Sequence, residues 1–243
     1  MNSQLPPSSR AFRYHELADP HRQVMWLTDV VLGGQDGLVN VLGVVLGIAA
    51  ATGDARVVIV GGLAGALAES VSMAAVAYTT MMAQGDLYKG ERAREYRHIE
   101  TVPELERAEI RAIYARKGFS GELLDRIVST ITSDKDVWVA AMMAEEHRLT
   151  DVDRSGGIRS AIIVGISSLV GSLLPLAPFF FFGVGAASWL SAALSAVVLF
   201  ALGAYKATVT VGRPMASGLE LCAIGMLAAL IGYGVGALFK LAW

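Results

Sequence analysis

Between Arg159 and Lys206 the chain runs for 46 residues without a single charge. A helix crossing the hydrocarbon layer of a bilayer takes about 20 residues, so this tract predicts two crossings. The break between them falls in LLPLAPFFFF, where Pro175 and Pro178 both oppose a continuous helix. Three other apolar runs are of spanning length: from Asp29 or Gly37 to Ala51, from Val57 to about Met82, and from Pro214 to Phe239. The pattern therefore predicts an all-α integral membrane protein with five transmembrane helices. An odd number of crossings puts the two chain ends on opposite sides.

Between spans two and three the pattern changes. Residues 84–159 hold 15 of the 22 acidic and 13 of the 20 basic residues, dense in charge but nearly neutral. GERAREYRHIE continues the second span as helix. Pro103 then starts PELERAEIRAIYARKG, with Gly118 as its stop. Ser120 is placed to cap SGELLDRIVSTI, whose Leu123, Leu124 and Ile127 form an apolar stripe. A fourth helix runs from about Asp134 to His147 through WVAAMMAEEHR. The expected organisation is an N-terminal segment 1–28, spans one and two in 29–83, a helical metal-binding insert in 84–156, and spans three to five in 157–243.

Composition narrows the class further. The chain is 54% hydrophobic and 17% charged, where soluble domains carry about a quarter of their residues as charges. Five long apolar spans exceed any ordinary soluble core. The first 28 residues are polar and show no cleavable signal pattern. Arg10, Arg13, Arg22, Lys206, Arg213 and the basic residues of the insert fall on one side; only Arg56 and Lys240 fall on the other. The positive-inside tendency places the N-terminus and the insert in the cytoplasm and the C-terminus outside. Cys222, the lone cysteine, excludes an internal disulfide and a cysteine-based metal cluster.

Candidate chemistry lies in two places. In the insert, Glu95 and His98 are three apart, as are Glu106 and Glu109, Met142 and Glu145, and Met143 and Glu146. Each pair shares a helical face. Carboxylates from several helices with one imidazole suit Fe²⁺, Mn²⁺ or Zn²⁺, and thioethers add a softness that Mg²⁺ and Ca²⁺ do not seek. The same spacing also arises on solvated charged helices, and methionines are more often core than ligand.

Within the spans, Asp36 and Asn40 lie one turn apart, as do Glu69 and Met73, and neither span contains Lys or Arg beside its carboxylate. A carboxylate at membrane depth costs a few kcal/mol, so it takes up a proton, pairs internally or binds a cation. The competing reading is structural: Asp36 capping a helix that begins after Gly33 and Gly34. Glu220 sits near the cytoplasmic end of span five, within reach of headgroups. Small residues in GGLAGALAES and GMLAALIGYGVGALF allow close helix contact, within one chain or between two.

DGLVN at 36–40, GGLAGALAESVSMA at 61–74 and MMAEEHRL at 142–149, in the order two spans, acidic insert, three spans, resemble the vacuolar iron transporter family from about His21 to Phe239. The resemblance implies a homodimer with an ion pathway between the subunits. It implies proton-coupled exchange of cytosolic Fe²⁺, often also Mn²⁺, with Zn²⁺ or Co²⁺ as further candidates and no prosthetic group. The family's pathway aspartate falls on Asp36 and its methionine on Met73. Its metal-collecting residues fall on Glu95, Glu106, Glu109, Glu146, Met142 and Met143. Two positions depart from the family: His98 stands where a carboxylate is usual, and Ala77 stands where a glutamate often follows the SMA stretch, the acidic residue here being Glu69.

The expectation is thus a secondary active transporter in a bacterial inner membrane, an antiporter moving metal out of the cytoplasm, with lipid, divalent metal, protons and a second copy as partners. No Gly-rich stretch ends in GK[ST], so a nucleotide-driven pump is not indicated. The alternatives are a membrane-anchored di-iron oxidase, for which a second E-x-x-H would be wanted, and a metal-sensing scaffold without flux. Nucleic-acid binding has no basic face to support it.

Overall fold

A computed structural model describes residues 25–150, 154–210 and 212–242. The three N-terminal arginines and Trp243 lie outside the described residues. Helix α1 spans Met25–Thr52, α2 Ala55–Thr101, α3 Pro103–Arg116, α4 Gly121–Thr132 and α5 Lys135–Glu145. Then come α6 at Arg154–Leu176, a 3₁₀ turn at Ala177–Phe180, α7 at Val184–Val209 and α8 at Pro214–Ala242. Five of these helices, α1, α2, α6, α7 and α8, are long and apolar enough to cross a membrane. The chain is an all-α integral membrane protein.

The α1–α2 corner is built from three local devices. The Thr52 hydroxyl donates to the carbonyl of Ile48 at 2.8 Å. Gly53 takes φ +63°, the left-handed conformation that ends a helix. Asp54 then accepts from the Arg56 backbone N–H at 2.7 Å, capping the next helix. Helix α2 runs 47 residues without a break, about 70 Å at 1.5 Å per residue, longer than the bilayer core requires. The break expected near Pro175 is present: that proline lies inside the last turn of α6, and the 3₁₀ turn follows.

The chain divides into two compact units, one comprising the residues up to Ser72 and from Ile163 onward, the other Met73–Ile162. In the first, Val41, Leu42, Val45 and Leu46 of α1 pack with Val58, Leu176 and Phe179. Glycines let α1 approach its neighbours closely. A Cβ on Gly37 would meet the Ser172 hydroxyl of α6 at 2.6 Å, and one on Gly47 would meet the Gly232 carbonyl of α8 at 2.8 Å. Such small-residue contacts replace the hydrophobic drive that helices lack in lipid. Val60, Val71, Leu230 and Leu238 point outward, as suits side chains facing acyl chains.

In the second unit the lower part of α2 and helices α3, α4 and α5 enclose a core of Ile99, Ile110, Ile113, Leu124, Val128, Trp138, Val139, Met142 and Met143. Pro103 stands in the first turn of α3, and Gly118 (φ +95°) follows its end. Two details differ from the sequence expectation. The buried stripe of α4 is Leu124 and Val128, one turn apart, while Leu123 is exposed. Ser120 occupies the N-cap position of α4, but its hydroxyl makes no capping bond. Asp134 does cap α5, accepting from the backbone N–H groups of Asp136 and Val137 at 2.8 and 3.1 Å.

Candidate metal-binding sites

The first unit brings polar groups of two spans together. Asn40 Nδ2 of α1 donates to Glu69 Oε1 of α2 at 3.0 Å. The Asp36 carboxyl neighbours both Glu69 and Asn40. The chain is helical from Met25, the first described residue, so Asp36 lies at least eleven residues inside α1 and does not cap its start; the capping reading fails on that geometry. Counted from the α1–α2 corner, Glu69 stands 14 residues into α2, about 21 Å along the axis. Asp36 stands 16 residues before Thr52, about 24 Å by the same rise. These matching depths let two carboxyls and an amide meet within the apolar stretches of the two spans. Met73 is half-buried and belongs to the second unit. Glu220 is exposed.

The insert supplies a second cluster. Glu95, His98 and Glu106 each offer a ligand atom within 4.8 Å of the others. Glu95 is 3% exposed and Glu106 2%, which is rare for carboxylates outside functional or paired settings. His98 Nδ1 lies 3.1 Å from Glu106 Oε1. The Oε2 atoms of both glutamates are buried with no hydrogen-bond partner among the described residues. Buried polar atoms are almost always satisfied, so two orphaned carboxylate oxygens in one cluster are apt receptors for a cation.

Electrostatics agree. Burial, then the negative charges of Glu95, Glu109 and Glu146, push the Glu106 carboxyl up to about 7. Glu146 is raised as well, by desolvation first and by Glu109 next. Glu109 and Glu146 thus act on the cluster through charge. Glu145 does not join it, because its carboxylate is ion-paired with Lys117. Met142 and Met143 are fully buried in the apolar core of the unit.

One residue of this site escaped the reading of the sequence. His147 Nε2 lies 3.0 Å from Glu95 Oε1. The helical-spacing rule pairs Met142 with Glu145 and Met143 with Glu146, and it presumes that α5 continues. The helix instead ends at Glu145, Arg148 turns left-handed at φ +54°, and His147 swings to meet α2. The available signal was the histidine itself directly after a Glu-Glu pair.

Five helices of membrane-spanning length, two of them bearing neighbouring carboxyls, make up an integral membrane protein, and its relatives place it among transporters rather than enzymes. A family model described as the VIT family matches residues 27–237. The chain belongs to that family, the vacuolar iron transporters. It is 30% identical over 208 residues to "Vacuolar iron transporter 1" of Oryza sativa subsp. japonica, covering 85% of this chain and 82% of the relative. It is 31% identical over 244 residues to "Vacuolar iron transporter" of Toxoplasma gondii, covering 94% and 81%. "Vacuolar iron transporter 1" of Eucalyptus grandis is 28% identical over 90% of both chains.

Proposed function

We propose that this protein is a proton-coupled antiporter of divalent metal, carrying Fe²⁺ and also Mn²⁺ out of the cytoplasm. The observation that carries the reading is the meeting of Asp36, Asn40 and Glu69 inside two apolar spans. Two neighbouring carboxyls cannot both hold bare charge in a low-dielectric setting. They hold a divalent ion between them or they share protons, and alternation between those two states is metal–proton exchange. Asn40 orients Glu69, and Met73 is assigned as a soft donor on the same path.

The insert, on the cytoplasmic side, gathers metal with Glu95, His98, Glu106, Glu109 and Glu146, with Met142 and Met143 as further candidates. The relatives' names support iron as the cargo, and the carboxylate-rich pathway supports manganese beside it. Two copies are proposed to form the working unit, in a bacterial inner membrane with the C-terminus outside. Metal flux into proteoliposomes separates the two roles. Asp36→Asn or Glu69→Gln is expected to abolish uptake even at saturating metal. Glu106→Gln with Glu109→Gln is expected to reduce uptake only at low metal, since a gathering site raises local concentration without limiting the maximal rate. Equal loss at saturating metal from both classes of variant contradicts that division.

A further inference from the structure

Resting on the reading that the insert holds the transported ion, we propose that His147 is a direct metal ligand there. With His98, Glu95 and Glu106 it makes a two-imidazole, two-carboxylate centre, and that donor set selects Fe²⁺, Co²⁺ and Zn²⁺ over Mn²⁺ and Mg²⁺. Glu95, His98 and Glu106 offer ligand atoms within 4.8 Å of one another, and His147 adjoins that triad through Glu95. Ligand bonds of about 2.1 Å at a tetrahedral centre place neighbouring donor atoms roughly 3.4 Å apart. The two nitrogen–oxygen edges stand at 3.0 Å for His147 to Glu95 and 3.1 Å for His98 to Glu106. Both edges lie near that spacing, and the His147 imidazole must also swing closer to His98 and Glu106 for one ion to touch all four.

Charge favours a cation as well. Two carboxylates that are 97–98% buried balance one divalent ion, and the neighbouring charges of Glu109 and Glu146 attract it further. The unpartnered Oε2 atoms of Glu95 and Glu106 offer further coordination. The backbone supports His147 from behind. Its N–H donates to the Met142 carbonyl at 3.3 Å, and the Leu149 N–H donates to the Met143 carbonyl at 3.1 Å, locking the end of α5. The negative end of that helix also favours a cation nearby.

Oxygen donors alone suit Mn²⁺ and Mg²⁺; imidazole shifts preference toward Fe²⁺, Co²⁺ and Zn²⁺. A carboxylate at position 98 would give a harder site. Two imidazoles in this chain make the insert a filter that discriminates before the membrane pathway does.

The test uses full-length protein in detergent, in an Asp36→Asn/Glu69→Gln background so that the pathway carboxyls do not contribute. Co²⁺ is titrated by visible absorption, and Mn²⁺ is titrated in parallel at one pH. The parent is expected to give the intense bands of low-coordinate, nitrogen-ligated Co²⁺. His147→Gln keeps a hydrogen-bond donor for Glu95 but removes the imidazole; it is expected to weaken Co²⁺ by about tenfold and bleach the bands while moving Mn²⁺ little. His147→Glu is expected to retain binding and turn the Co²⁺:Mn²⁺ ratio toward Mn²⁺. An unchanged Co²⁺ spectrum in both variants overturns the proposal and leaves His147 a partner of Glu95 only. Parallel loss of both ions in both variants overturns it equally. Binding, not flux, is read, so a protein that gives these spectra but moves no metal sinks the antiport reading and leaves this one standing.

Discussion

Metal capture by the insert is expected to tighten as pH rises, and Glu106 sets the scale. Its carboxyl, raised to about 7 by burial and by the charges of Glu95, Glu109 and Glu146, must lose its proton before an ion binds. For one competing proton the observed affinity scales with the deprotonated fraction. With a pKa of about 7 that fraction rises from about one in eleven at pH 6 to about ten in eleven at pH 8, a tenfold gain. His147 is raised too: neighbouring Glu95, Glu146 and Glu91 outweigh the desolvation that opposes its charge. Its proton steepens the slope wherever it also has to leave.

The same shifts have a stability consequence of opposite sign. A carboxyl raised in the folded state binds more protons than its unfolded counterpart between its ordinary value of 4.5 and about 7, so its contribution is present at low pH and lost as pH climbs through that window. The raised His147 loses its contribution in the same direction. Without metal, the insert is therefore expected to melt at lower temperature at pH 7.5 than at pH 5.5, and added metal to reverse the trend. Isothermal titration of Co²⁺ or Zn²⁺ into the full-length protein at pH 6, 7 and 8 checks the first statement. Glu106→Gln should bind more weakly and with a shallower slope. Affinity that is flat across this range, or that weakens toward pH 8, refutes the assignment of Glu106 as a ligand that exchanges its proton for metal.

Other outcomes follow from packing and backbone geometry. Gly47→Ala drives a methyl to 2.8 Å from the Gly232 carbonyl, and a Cβ on Gly236 strikes the Gly47 carbonyl, so each should destabilise the α1–α8 contact by about 1–3 kcal/mol. Gly234→Ala meets nothing within 4 Å and should leave the melting temperature unchanged; similar loss in all three would refute the packing argument. Arg148→Gly relieves the left-handed strain at φ +54° and should stabilise the insert by about 1 kcal/mol without weakening metal. A drop in Co²⁺ affinity there would mean that the arginine side chain matters to the site.

The five spans were legible because about 20 apolar residues leave a chain no other solvent, and 46 uncharged positions in a row admit few readings. Helix starts and stops were legible where chemistry is local: Pro103 opens α3, Gly118 follows its end, and α5 begins beside Asp134. The start of α1 was not legible from hydropathy, since MWLTD is only half apolar and helical hydrogen bonding does not need lipid. That difference moved Asp36 from a helix start to a helix interior. Tertiary neighbours were out of reach as well. Asn40 finds Glu69 across 29 residues of sequence, and Lys117 takes Glu145 away from a spacing that had offered it as a ligand. His147 reaches Glu95 only because α5 stops before it, an event that periodicity, which assumes continuation, does not register.

Uptake of Fe²⁺ into proteoliposomes under anaerobic reduction, with and without an imposed pH gradient, tests the central claim most directly. Acid inside the vesicle should drive metal in while the lumen grows more alkaline, and Asp36→Asn should abolish both signals together. Uptake that ignores the gradient, or that continues undiminished in Asp36→Asn, contradicts metal–proton exchange at the Asp36–Glu69 pair.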